Sequence, residues 1–126
     1  MKTRLKIVMI EDTPADSELA AAILGRTWPD LELERVETET AFRHALAGNP
    51  DIVIADFEVP GFGAIPALDI LRALGHPVPL IVFTGAVTES IVEQCMRLGA
   101  AECLLKDRWP ELAGAVDGVL EHRTGN

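Results

Sequence analysis

Asp51-Ile52-Val53-Ile54-Ala55-Asp56-Phe57 places four consecutive apolar residues between two acids. A strand with one face in water alternates apolar and polar residues. A run without alternation fits a strand covered on both faces, the condition of a parallel sheet inside an α/β fold. The strand is expected to finish in Asp56, so that a carboxylate emerges at its carboxyl end.

Working outward from this run, strand-like and helix-like segments alternate. Leu5-Lys6-Ile7-Val8-Met9-Ile10 reads as a buried strand, followed by Thr13-Pro14-Ala15-Asp16, in which Thr13 suits an N-cap and Pro14 the first helical position. Leu19, Ile23 and Leu24 then recur at helical spacing. Residues 31–36 predict a second strand. Phe42, Ala45 and Leu46 mark a helix over 40–46, ended by Gly48-Asn49-Pro50. Beyond the central run, Pro60-Gly61-Phe62-Gly63 is a turn. Leu68, Ile70, Leu71 and Leu74 form a helical stripe that Gly75 and Pro77 stop. Residues 80–84 predict the fourth strand. Residues 88–98 predict a helix with Ser90 and Glu93 as a capping box and Gly99 as its terminator. The last pair is a strand over 102–105 and a helix over 109–120, in which Trp109 is expected to pack into the core. Five strand-helix pairs imply parallel strands, helical crossovers of one hand and helices on both faces of the sheet: a doubly wound α/β fold.

In such sheets ligands bind at the carboxyl ends of the strands, where the strand order reverses. Glu11 and Asp12 follow the first strand, Asp56 ends the third, Thr84 the fourth and Lys106 the fifth. Singly, these residues read as loop acids, a turn initiator, a capping hydroxyl and a surface charge. Their joint placement after four different strands points to one site. Three carboxylates in a partly desolvated pocket repel each other unless a cation joins them. A hard divalent ion such as Mg2+ takes oxygen ligands and keeps several waters, which fits Asp12, Asp56 and a water-linked Glu11. A carboxylate can also act as a nucleophile toward a phosphoryl group if the developing charge is neutralised. Lys106 and the Thr84 hydroxyl are groups of the right kind, and Gly85 leaves an accessible amide beside them.

Composition bounds this reading. The chain has 126 residues, 48% of them hydrophobic and 25% charged, which suits one globular domain over residues 1–126. A formal net charge of −9, without clustered Lys and Arg, speaks against nucleic acid as a partner. Apolar stretches are too short for a membrane span, and the start Met1-Lys2-Thr3-Arg4 is unlike a secretory signal, so a cytoplasmic location is expected. Cys95 and Cys103 lack zinc-ligand spacing and read as buried free thiols. His44, His76 and His122 fall in a helix, a Gly-His-Pro turn and the tail, with solvated or structural roles expected.

In this order the residues resemble the receiver domain of two-component response regulators: an acidic pair, an acceptor Asp, a Thr followed by a small residue, and a Lys. The resemblance covers nearly the whole chain. Asp56-Phe57-Glu58-Val59-Pro60-Gly61 is similar to the family's phosphorylation loop. Gly99-Ala100-Ala101-Glu102-Cys103-Leu104-Leu105-Lys106 is similar to the segment leading to its lysine. The resemblance implies a flavodoxin-like (βα)5 fold and Mg2+-dependent transfer to Asp56 from a histidine kinase or histidine phosphotransfer protein. It also implies output through contacts with a downstream protein and no enzymatic turnover of an external substrate. Metal ligands would be Glu11, Asp12, Asp56 and the backbone carbonyl of Glu58, whose carboxylate would influence water access; a homodimer is compatible. The alternative is a constitutive interaction domain that makes little use of phosphorylation. The sequence departs from the family at three places. Cys103 stands where an aromatic residue swings inward on phosphorylation, and a thiol lacks that bulk. Asp107 replaces a common proline, as a helix N-cap or as a competitor for Lys106. Gly63 replaces an acid.

Overall fold

The computed structural model describes residues 4–85 and 88–124, so the basic Met1-Lys2-Thr3 lead-in lies outside the described residues. Its elements are β1 (Arg4–Ile10), α1 (Pro14–Gly25), β2 (Asp30–Val36), α2 (Glu39–Leu46), β3 (Ile52–Ala55), α3 (Ala64–Leu74), β4 (Leu80–Thr84), α4 (Glu89–Arg97), β5 (Glu102–Leu105) and α5 (Leu112–Thr124), the last preceded by a 3-10 turn at Trp109–Glu111. The five strands form one parallel sheet in the order β2-β1-β3-β4-β5.

Period-two alternation within the buried strands divides the core. Leu5, Ile7, Met9, Ile52, Ile54, Ile81 and Phe83 pack with α1 and α5. Val8, Ile10, Val53, Ala55, Leu80 and Val82 pack with α2, α3 and α4. The four residues of β3 have no exposed surface, as the unbroken apolar run requires. Full burial of each large side chain there contributes about 1.5 to 3 kcal/mol. The placement of the helices follows from connectivity. The step from β1 to β2 runs one way along the sheet, and the next three steps run the other way. With crossovers of one hand, α1 falls on one face and α2, α3 and α4 on the opposite face. The reversal lies between β1 and β3, and it separates the loops that follow them.

Local details differ from expectation at several points. The Thr88 side chain caps α4 by accepting from the Ile91 amide at 3.2 Å, so no Ser90-Glu93 capping box forms. Thr13 is the N-cap of α1 by position, without a side-chain hydrogen bond. Leu19 and Leu74 are exposed, because their stripes turn past the sheet. Trp109 is partly buried and meets Phe83 edge-on, with ring centroids 4.8 Å apart. Asp107 is exposed and does not cap the last helical segment, whose N-cap is Arg108.

β3 stops at Ala55, one residue before Asp56, because the chain then folds back: the Ala64 amide donates to the Asp56 carbonyl at 3.0 Å. That return requires Gly63, whose φ is 110° and where a Cβ would lie 2.6 Å from the Phe57 carbonyl oxygen. Where the resemblance leads one to expect an acid, Gly63 thus has a steric role. Gly63→Ala is expected to lower unfolding free energy in urea by about 1 to 3 kcal/mol from backbone strain, with the collision adding to it. Gly75→Ala, at φ 61° and with open space around its Cβ, should cost less.

Candidate functional site

β1 and β3 are adjacent and in register to their last residues, Ile10 against Ala55, so the residues that follow them lie side by side. The Asp56 amide donates to the Ile10 carbonyl at 2.9 Å, which carries the ladder one step further and fixes the acid beside Glu11. Across β3 and β4, the Thr84 Oγ1 donates to Asp56 Oδ1 at 2.8 Å. The Glu58 amide donates to the same oxygen at 3.0 Å. The other oxygen, Oδ2, accepts from Lys106 Nζ at 2.9 Å. Asp56 and Thr84 are both buried. The expected convergence of Glu11, Asp12, Asp56, Thr84 and Lys106 on one edge of the sheet is observed.

Glu11 is fully buried and bound from two sides. Its Oε2 accepts from the Thr13 amide at 3.0 Å, and its Oε1 lies 2.7 Å from Lys106 Nζ. The latter is an ion-pair contact out of line for a hydrogen bond, which leaves Oε1 buried without an aligned donor. Burial raises the Glu11 pKa, as does the nearby Asp56 charge, while Lys106 and the Thr13 amide oppose the shift. Burial by itself would lower the Lys106 pKa. The carboxylates of Asp16, Glu11 and Asp56 more than reverse this and hold it well above its ordinary value, so the ammonium stays charged.

Asp16 is the residue that sequence reasoning missed. It lies in the first turn of α1, and its Oδ2 accepts from Lys106 Nζ at 2.6 Å. An acid four positions beyond Asp12, one turn into a helix that starts at the site's edge, was the available signal. Lys106 thus pairs with Glu11, Asp16 and Asp56, and the expected competition from Asp107 does not arise among these contacts.

Three carboxylates therefore face one ammonium, and a fourth, Asp12, stands beside two of them. Glu11, Asp12 and Asp56 each offer an oxygen, and these oxygens lie within 4.8 Å of one another. This all-oxygen set fits a hard divalent cation, and exposed Asp12 leaves room for its waters. Glu58 is exposed and shares a surface depression with Asp12, Phe57, Val59 and Pro60, which sets it at the rim of this group. Gly85 is exposed, and no described atom beyond its chain neighbours would obstruct a Cβ there. Burial pushes both thiol pKa values up, helped by Cys103 at Cys95 and by the Glu102 charge at Cys103, as suits inert free cysteines. No helix among the described residues is long and apolar enough to cross a membrane.

A family model described as the response regulator receiver domain matches residues 7–117. Protein-glutamate methylesterase/protein-glutamine glutaminase of Gluconobacter oxydans is 30% identical over 101 residues, covering 78% of this chain and 28% of that protein. The nitrate/nitrite response regulator protein NarL of Escherichia coli K12 is 28% identical over 107 residues, covering 83% of this chain and 49% of the relative. The chain thus spans half or less of the length of these curated relatives. The solved structure of a two-component response regulator of the LuxR family from Aurantimonas sp. SI85-9A1 superposes with a TM-score of 0.84 at 24% identity. It covers 95% of this chain and 87% of that one, and at this identity it speaks to the fold alone.

Titration with a divalent cation should raise the melting temperature. At roughly 100 times the dissociation constant the gain corresponds to about 2.7 kcal/mol. In chelator, Asp12→Asn should melt slightly higher than the wild type through relief of repulsion, and it should lose most of the cation-dependent gain. Thermal unfolding followed by circular dichroism checks both.

Proposed function

Because this chain belongs to the response regulator receiver domain family, we propose that it accepts a phosphoryl group on Asp56 and signals by the resulting change at its surface. The donor is a phosphohistidine of a histidine kinase or histidine phosphotransfer protein, and the recipient of the signal is a further protein. The chain acts as a phosphoryl acceptor and does not turn over an external substrate. The observation that carries the reading is the two-sided hold on Asp56, with Thr84 and the Glu58 amide on one carboxylate oxygen and Lys106 on the other.

A carboxylate oxygen of Asp56 attacks the phosphorus, the phosphorus–nitrogen bond of the donor breaks, and the imidazole keeps the electron pair and takes a proton from water. Little covalent work falls to the protein in such a transfer; positioning and charge stabilisation supply the rate. The contacts on Oδ1 and Oδ2 orient the acid. Lys106 offers a cation to the oxygens of the transferred group, and Thr84 offers a hydroxyl from the opposite side. Glu11, Asp12, Asp56 and the Glu58 carbonyl would hold Mg2+, which supplies electrostatic stabilisation of the transferring group when bound.

One observation favours a second reading, a constitutive interaction domain. Cys103 is partly buried against the core beneath α4, and its small thiol cannot make a ring-sized displacement. Beryllofluoride with Mg2+ separates the two: amide shifts reaching beyond the pocket to α4 and β5 support switching, and shifts confined to the pocket support the second reading.

Asp56→Asn should take up no phosphoryl group from acetyl phosphate with Mg2+ while remaining folded, since the amide is nearly isosteric and lessens repulsion. Undiminished acyl phosphate in that variant, mapped by mass spectrometry, would contradict the assignment. Glu58→Ala should change the half-life of the acyl phosphate, because the carboxylate stands at the rim where water enters; an unaltered half-life removes that role.

A further inference from the structure

We infer that Asp16 is a positioning residue of this site: it competes with the reacting group for the Lys106 ammonium, restraining phosphoryl uptake while strengthening the hold on the cation. The inference rests on the reading given above and extends it to a residue outside the acceptor set.

Lys106 Nζ lies closer to Asp16 Oδ2, at 2.6 Å, than to Asp56 Oδ2, at 2.9 Å. The pair is no loose surface contact. The Lys106 side chain is 17% exposed, and it joins the end of β5 to the first turn of α1, 90 residues away. Asp16 itself is placed firmly, because the Asp16 and Ser17 amides both donate to the Thr13 carbonyl and the Ser17 hydroxyl donates to that of Pro14. An ammonium has three hydrogens. Here one is directed at Asp16 and one at Asp56, with Glu11 Oε1 close by and out of line.

Phosphorylation ties up the Asp56 carboxylate and brings phosphoryl oxygens that require the ammonium. Asp16 is not consumed in the transfer, so whatever attraction it retains for the ammonium is withheld from the transition state. The same charge repels an anionic phosphoryl donor and attracts a divalent cation. Neutralising Asp16 therefore moves the two measurable quantities in opposite senses: transfer becomes faster and cation binding weaker. A residue whose role is only to keep α1 in place would, on loss, slow transfer and leave the cation dependence unmoved.

The test follows phosphoryl uptake from acetyl phosphate across a Mg2+ titration in the full chain, with the Mg2+ midpoint read also without donor from the rise in melting temperature, comparing wild type, Asp16→Asn and Asp16→Glu. In Asp16→Asn, uptake at saturating Mg2+ should rise about two- to five-fold and the half-saturating Mg2+ concentration should rise by a similar factor, the range open to a partly screened charge pair. Asp16→Glu keeps the charge and should restore both values toward those of the wild type. Slower or unchanged uptake in Asp16→Asn, or an unmoved Mg2+ midpoint, overturns the role while leaving Asp56 as acceptor. A wild type that takes up no phosphoryl group overturns the acceptor reading itself, and this role with it.

Discussion

Mutual repulsion among Glu11, Asp12, Asp16 and Asp56, opposed by the single ammonium of Lys106, is the constraint around which the upper edge of this protein is arranged. Each acid stands where it does for a backbone reason. Glu11 and Asp12 follow a strand that pairs in register with β3. Asp56 is tied by its amide to Ile10 and by its carbonyl to Ala64. Asp16 lies in a helical turn that Pro14 starts. Such crowding is costly in a partly dry setting and persists only where the rest of the fold determines it. Here the determinant is the apolar sheet, whose central strands have almost no exposed surface and cannot shift to let the acids separate.

The layout of the fold was legible in the sequence because it depends on patterns longer than any one contact. The run from Ile52 to Ala55 called for cover on both faces, and alternation of strand and helix supplied it. The convergence of Asp12, Asp56, Thr84 and Lys106 followed from topology, since parallel strands present all their carboxyl ends at one edge. What could not be read depends on rotation about a helix axis or on the last residue of an element. Leu19 belongs to an apolar stripe yet faces out. Thr88 caps α4 where Ser90 also offered a hydroxyl two residues on. Asp16 went unassigned because its partner is 90 residues distant and no local pattern links them.

Gly63 shows how a departure from a family pattern can be structural. The loop after Asp56 must leave β3 and return to start α3 within a few residues. The Phe62 amide donating to the Val59 carbonyl makes the bend, and the Ala64 amide donating to Asp56 closes it. A side chain at residue 63 would meet the Phe57 carbonyl. Any side chain at residue 63 is therefore disfavoured by the path that holds Asp56 in place, and no electrostatic reason for the glycine is needed.

Cys103 poses the converse question, since it removes bulk where a conformational lever would need it. The large ring next to Thr84 along the chain is Phe83, which packs edge-on against Trp109 on the α1 and α5 side of the sheet. Successive residues of a strand point to opposite faces, so a displacement of the Thr84 side chain, already bonded to Asp56, does not by itself move that ring. The direct link that the fold provides is main-chain: the Lys106 amide donates to the Thr84 carbonyl at 2.9 Å. The residue holding one oxygen of Asp56 and the residue holding the other are thereby joined through the β4–β5 ladder. That connection is independent of the side chain at position 103, so the two strand ends stay joined through the main chain with a thiol there.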